Sequence, residues 1–324
     1  MKQPKNKYLL LSRNDTTYTT YEETPSYFHS QLIPYAKCYT DIDDKGIIID
    51  QQIEMSGLSI YYHLIFLNEG VQLTTVPPSR YILPACVSGF TNTNNRIPLK
   101  MSLSKNSGTN FSDSNTLVTE KEFVMDFHVN LSISALKYLS DEFPAFRIIN
   151  KVGIKKVQNP GNRAPFQVNE VNYQVMNRIL HCKQIGKTAE IFFLRSAIDF
   201  YRTYLRYLSP EPPIMLKESH REQLREIAEY IIRYPAEADS METLCRKFRV
   251  VPEFLSAPFE QEYYISVEDL ILQEKMALAF KMITETNHTL TYISTFTKHN
   301  SWEELTEEFE QYYKCNIADL RNAQ

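Results

Sequence analysis

In the β-rich first half of the chain the one grouping suited to metal ligation or proton transfer is His63, Asp126 and His128. Phe123–Asn130 alternates, with Met125, Phe127 and Val129 on one side and Asp126, His128 and Asn130 on the other, so a strand would give Asp126 and His128 a shared face. A zinc site needs at least three convergent ligands, and nothing in the sequence carries His63 to the other two. The expectation is a polar strand face and no metal. Thiol chemistry is no better supported. Cys38, Cys86, Cys182, Cys245 and Cys315 are odd in number and scattered, with no C-x-x-C pair, which argues for buried reduced thiols over a disulfide framework or a zinc cluster. The chain has no G-x-S-x-G, no phosphate-binding glycine loop and no H-E-x-x-H. The expectation is therefore a protein without catalytic activity or cofactor.

At 324 residues, and about 150 residues per domain, two domains are expected. Composition is ordinary for a globular protein, at 43% hydrophobic and 23% charged. No apolar run approaches the roughly 18 residues that span a bilayer. Lys2, Lys5 and Lys7 precede only Tyr8–Leu11 before Arg13, Asn14 and Asp15, too short a stretch for a signal peptide, so a cytoplasmic protein with no membrane partner is expected.

The two parts of the chain are built differently. All 8 glycines lie at or before Gly186, and residues 217–324 carry 12 Lys and Arg against 20 Asp and Glu. From Gly46 to Val129 the pattern is short, aromatic and β-branched. Leu58–Leu67 reads as a strand covered on both faces, turned by Asn68-Glu69-Gly70 into Val71–Thr75. Pro77-Pro78-Ser79 breaks the chain before Arg80–Val87; Ile97–Leu103 follows, and Lys105–Ser114 reads as a loop. Such spacing predicts a small barrel or sandwich, which can enclose a small ligand.

The breaker-rich stretch 155–165 marks a boundary. A helical hairpin follows, with Val171, Val175, Ile179 and Cys182 on one helix and Ile191, Leu194, Ile198 and Leu205 on the next, and with Arg195, Arg202 and Arg206 expected on its surface. Pro210, Pro212 and Pro213 then stiffen a linker. Beyond it the caps mark seven helices. Ser219-x-x-Glu222 opens one to Tyr234, Ser240 caps 241–248, and Pro252 opens one through Tyr263. Ser266-x-x-Asp269 opens a long helix to Thr284, 289–296 follows, Ser301-x-x-Glu304 opens one to Tyr313, and Asn316 starts a last short one. The pairs 241–248 with 252–263 and 289–296 with 301–313 read as two helix-turn-helix units joined by the long helix. The expected fold class is α+β: a β-rich sensor domain over 1–165, a helical hairpin and linker over 166–216, and an all-α double helix-turn-helix domain over 217–324.

From Ser240 to Arg321 the chain resembles the paired helix-turn-helix domain of AraC/XylS-type bacterial transcription regulators, at Leu244, Leu255, Phe259, Ala279, Ile283, Ile293, Leu305, Phe309 and Arg321. The hairpin 168–208 resembles the segment preceding that domain in the family's regulators of siderophore uptake. The resemblance covers about half the chain; before residue 165 it is architectural. It implies an N-terminal domain that senses an effector or dimerises, and a C-terminal domain that reads two successive major-groove segments.

By the same resemblance, the DNA-facing positions are Arg246, Lys247, Arg249, Glu253, Ser256, Ala257, Glu260, Glu303, Glu304, Glu307 and Glu308. The family's basic residue in each recognition helix is here Ala257, followed by Pro258, and Glu307. Family turn glycines are Arg249, Tyr264, Lys298 and Lys314. Trp302, Leu305, Phe309 and Tyr312 are expected to form the buried stripe of the last long helix, leaving five glutamates, Glu310 included, on its other side. Because DNA affinity comes largely from Lys and Arg neutralising phosphates, two expectations follow. One is a regulator whose direct DNA contact is weak and leans on Arg246, Lys247, Arg249 and a partner. The other is a module that kept the fold and docks a basic protein. A homodimer and a small-molecule effector belong to the expected partners.

Overall fold

The computed structural model describes residues 11–13, 19–21, 23–44, 46–67, 71–75, 83–92, 95–96, 100–103, 116–118, 122–142, 147, 166–207 and 214–322. The sequence-expected turn at 68–70, the break at 77–79, the loop at 105–114, the boundary at 155–165 and the prolines at 210–213 lie outside them. The chain is α+β and divides by its contacts into two compact units, residues 1–168 with 180–183, and residues 169–179 with 184–324.

The first unit contains two antiparallel sheets. Strands β1 (Leu11–Arg13), β6 (Val71–Thr75) and β10 (Thr116–Val118) form a small one in the order β1-β6-β10. The large sheet is built from β2 (Thr19–Tyr21), β3 (Lys37–Asp43), β4 (Gly46–Met55), β5 (Leu58–Leu67), β7 (Leu83–Asn92), β8 (Asn95–Arg96), β9 (Lys100–Leu103), β11 (Glu122–Leu131) and β12 (Phe166–Gln167). Its order is β12-β9-β7-β11-β5-β4-β3-β2, with β8 paired to β7. Strand alternation assigns the faces. Ile49, Ile53, Ile60, Leu64, Phe127 and Val129 are buried on one. The 3-10 turn Ser26–Gln31 is tied to that face: the Gln51 amide accepts from the Ile33 N–H at 2.7 Å and donates to the Gln31 carbonyl at 3.1 Å. The β4–β5 turn needs Gly57, whose φ is +75° and where a Cβ would come 2.7 Å from the Cβ of Ala135 in helix α1 (Ile133–Glu142).

The other face of that sheet is polar, and its register adds what the sequence could not show. Register puts Asp126 of β11 directly across from His63 of β5, and His63 directly across from Asp50 of β4, with His128 opposite Tyr61 one step along. Strand pairing, invisible along the chain, thus supplies the proximity that the sequence lacked. Asp50 and His63 are both buried, with Oδ1 and Nδ1 2.6 Å apart. Gln52, Ser59 and Asn130, also buried, extend the polar character of this face.

The second unit is helical: α2 (Glu170–Leu180), α3 (Gly186–Tyr207), α4 (Glu218–Arg233), α5 (Met241–Phe248), α6 (Pro252–Leu255), α7 (Ala257–Tyr263), α8 (Val267–Glu285), α9 (Leu290–Phe296), α10 (Trp302–Tyr313) and α11 (Ile317–Asn322). Side-chain oxygens of Ser240, Ser266, Thr289 and Ser301 each accept the N–H three residues on, as N-caps do. Helix α8, about 28 Å long at ~1.5 Å per residue, is shared by two cores. Its first half packs Leu270 with Leu224, Ile227, Leu244, Leu255 and Phe259; its second half packs Met276, Ala279 and Ile283 with Ile293, Leu305 and Phe309.

Four sequence expectations fail here for identifiable reasons. Ser219 is not a cap: α4 starts at Glu218 after Lys217, whose carbonyl already takes the His220 and Arg221 N–H groups. The expected helix 252–263 is two, split at Ser256 (φ −86°, ψ −101°), because Pro258 has no N–H to donate and its ring would strike the carbonyl four residues back. Trp302 leaves the buried stripe and is 45% exposed, since it sits at the first position of α10, beyond the core. Arg195 and Arg202 are not on the surface. Both are buried by partners distant in sequence, which helical periodicity cannot reveal.

Candidate nucleic-acid interface

Helices α5 with α6–α7 and α9 with α10 are the two helix-turn-helix units, and they repeat each other closely. Leu255, Phe259 and Tyr263 are fully or almost fully buried, as are Leu305, Phe309 and Tyr313, each 50 positions later (305 − 255, for example). The turns repeat too. Arg249 and Tyr264 close α5 and α7 in the left-handed region (φ 55° and 56°), while Lys298 and Lys314 follow α9 and α10 in the same conformation (φ 60° and 54°). These are the four positions at which the resemblance places glycine. A residue with a Cβ costs roughly 1–2 kcal/mol in that conformation. Four such turns held by non-glycine residues mean that packing, not local preference, fixes the helix angles.

The second helix of each unit turns one side outward. In the first unit Glu253, Ser256 and Ala257 are exposed, and Glu260 is half-buried. Glu260 is drawn sideways into an ion pair with Arg206 of α3, which also lies 3.9 Å from Asp269. In the second unit Glu303, Glu304 and Glu307 are exposed. Glu308 is half-buried, 2.9 Å from the ring Nε2 of His299. The Glu304 carboxylate accepts the backbone N–H and the side-chain amide of Asn300, one residue before the cap it was expected to serve, while its own N–H goes to Ser301 Oγ. That backbone N–H holds the Glu304 carboxyl below its ordinary range. Glu307 accepts from Gln311 Nε2 at 3.2 Å. No Lys or Arg occurs in α6, α7 or α10.

Basic residues stand at the edges of this surface. Arg246 is exposed and paired with Glu242 at 2.9 Å. Lys247 lies 4.4 Å over the Tyr230 ring, and Arg249, Lys298 and Lys314 are exposed at the turns.

The sequence did not show the buried network that holds α8 and α10 against the hairpin α2–α3. Arg195 of α3 donates to Asp199 Oδ1 at 2.6 Å and to the Tyr312 carbonyl at 3.1 Å, with its guanidinium 3.5 Å above the Tyr312 ring. The Tyr312 hydroxyl donates to Asp199 Oδ2 at 2.7 Å, and burial pushes that phenol well above its ordinary pKa. Arg178 of α2 pairs with Glu274 of α8 at 2.8 Å, and Arg202 donates to Gln273 at 2.9 Å. The one sequence signal was three arginines within a helix otherwise rich in aromatic and aliphatic residues.

Among the described residues no group of three or more His, Cys, Asp and Glu could hold a metal, and no helix is long and apolar enough to cross a membrane.

No protein-family model matches the chain, and no curated protein does. Solved structures similar to it include the C-terminal domain of AraT, a response regulator from Geobacillus stearothermophilus, at 19% identity over 32% of this chain and 85% of that one, with a TM-score of 0.30. The C-terminal domain of the two-component response regulator yesN from Fusobacterium nucleatum is similar at 19% identity over 32% and 99%, with a TM-score of 0.28. ToxT from Vibrio cholerae is similar at 9% identity over 81% and 98%, with a TM-score of 0.27. At these scores the likeness carries no argument of its own, and the functional reading rests on the helices described above.

Proposed function

We propose that this chain is a transcription regulator of the AraC type, with a β-rich sensor unit and a helical output unit whose direct contact with DNA is weak. The observation that carries the reading is the repeat itself: two helix-turn-helix units with matching buried positions and matching left-handed turns, joined by one shared helix. The β-rich unit supports a sensing role through the buried polar face around Asp50 and His63, which suits a small polar effector. Neither catalysis nor a cofactor is part of the proposal, and the site of action is the cytoplasm.

A second reading is favoured by the carboxylates on α10 and by the lack of Lys and Arg in α6, α7 and α10. In it the output unit docks a basic protein in place of DNA. The two are separated by titrating the purified chain with DNA from upstream of its own gene across a salt series. A direct reader gives saturable, sequence-selective binding with a steep salt slope from several phosphate contacts. Absence of binding at ~50 mM salt refutes direct reading, because phosphate contacts are strongest there.

A further inference from the structure

The outward side of α9 does not belong to a carboxylate surface. Ile293, Ser294 and Thr297 face the core and are buried, while Tyr292 and Phe296 are 48% and 43% exposed. Their rings stack at 6.2 Å, and the His288 ring lies 4.3 Å from Tyr292, giving one aromatic ridge along the helix. The Arg321 guanidinium donates to the His288 carbonyl, tying the base of the ridge to α11. After the turn 297–301, at the first position of α10, comes Trp302, the one tryptophan of the chain, 45% exposed, followed by the exposed Glu303 and Glu307.

Exposed aromatic rings serve two kinds of partner, the faces of unpaired bases and the apolar side of another protein. The charges decide between them. Base stacking on a protein works alongside a positive groove that tracks the phosphates. Helix α10 beside this ridge has exposed carboxylates and no Lys or Arg, and the turn before it adds one exposed cation, Lys298, too few to track a phosphate chain. A partner matching both features has an apolar stripe for the rings and Lys or Arg for the glutamates.

We infer that Tyr292, Phe296 and Trp302, with Glu303 and Glu307, form the docking surface for a basic amphipathic helix of a protein partner. This rests on the second reading above and locates its contact. Binding is of the helix-on-apolar-face kind, with apolar anchors giving affinity and the ion pairs giving orientation and association rate.

The test uses the full chain and the emission of Trp302. It is titrated with a synthetic amphipathic Lys/Leu helix, with a Lys/Ser peptide of equal charge, and with single-stranded DNA. The Lys/Leu helix is expected to give a saturable one-to-one blue shift, and the other two none. Tyr292→Ser with Phe296→Ser, and separately Glu303→Lys with Glu307→Lys, each weaken binding about tenfold or more, whereas Tyr292→Phe preserves it. These side chains are exposed, so far-ultraviolet circular dichroism should be unchanged in every variant. Binding that disappears with the glutamates but survives loss of the aromatic pair overturns the assignment of the ridge and leaves the basic-partner reading standing. A shift with single-stranded DNA overturns it in favour of nucleic acid. A dimer that Tyr292→Ser with Phe296→Ser converts to monomer overturns it in favour of a second copy of the chain.

Discussion

Arg195, Asp199 and Tyr312 form a closed set: the arginine satisfies one carboxylate oxygen, the phenol the other, and the guanidinium also covers the ring. Removing one member of a buried charge pair leaves the other without compensation, which costs about 3–5 kcal/mol. Arg195→Ala is therefore expected to destabilise the helical unit by that amount in denaturant unfolding, while Arg195→Met with Asp199→Leu and Tyr312→Phe, which leaves no buried hydroxyl unpaired, recovers most of it. Lys298 presents the opposite case. Its left-handed conformation is held by its neighbours, so Lys298→Gly is expected to raise stability by up to ~1 kcal/mol and Lys298→Val to lower it. Glu304 ties α10's first turn to Asn300 in its charged form, with a folded pKa below the ordinary value. Its contribution is present above the ordinary carboxyl range and is lost as pH falls through the lowered pKa. The protection of the Asn300 amide against exchange, relative to an unfolded peptide, should fall over that interval in the native chain and be absent at all pH values in Glu304→Leu, which has no acceptor.

At the scale of elements, the caps were legible because they are local. Ser240, Ser266, Thr289 and Ser301 each bond three residues ahead, and no distant part of the chain decides the matter. The left-handed turns at Arg249, Tyr264, Lys298 and Lys314 were legible through the resemblance, not through their own residue types, which disfavour that conformation. What was illegible depended on partners far along the chain. Arg195 finds Tyr312 at a separation of 117 residues, and the position of Asp126 falls across from His63 only through the β5–β11 register. Pro258 stood between these cases: its sequence implied a kink or an early end, and the break at Ser256 fixes which residue absorbs it. Pro258→Ala is expected to join α6 and α7 into one helix, since the interior penalty of ~3 kcal/mol disappears. The readout is an amide at position 258 protected from exchange and a small gain in helical circular dichroism.

Over the whole molecule, charge separates what the helices are built like from what they present. The interior of each helix-turn-helix unit repeats the other, yet α6, α7 and α10 offer a polyanion no Lys or Arg, and residues 217–324 hold 20 acidic against 12 basic residues. Counterion release, the main source of affinity for DNA, scales with the number of phosphates neutralised. The central claim is that this surface repels DNA while the scaffold beneath it is intact. Its most direct test is DNA affinity across a salt series for the native chain beside Ala257→Arg with Glu307→Arg. The native chain is expected to bind weakly and with a shallow salt slope even at ~50 mM salt, and the variant markedly more tightly and with a steeper slope. Tight binding by the native chain with a steep slope, unchanged by the two substitutions, would contradict it.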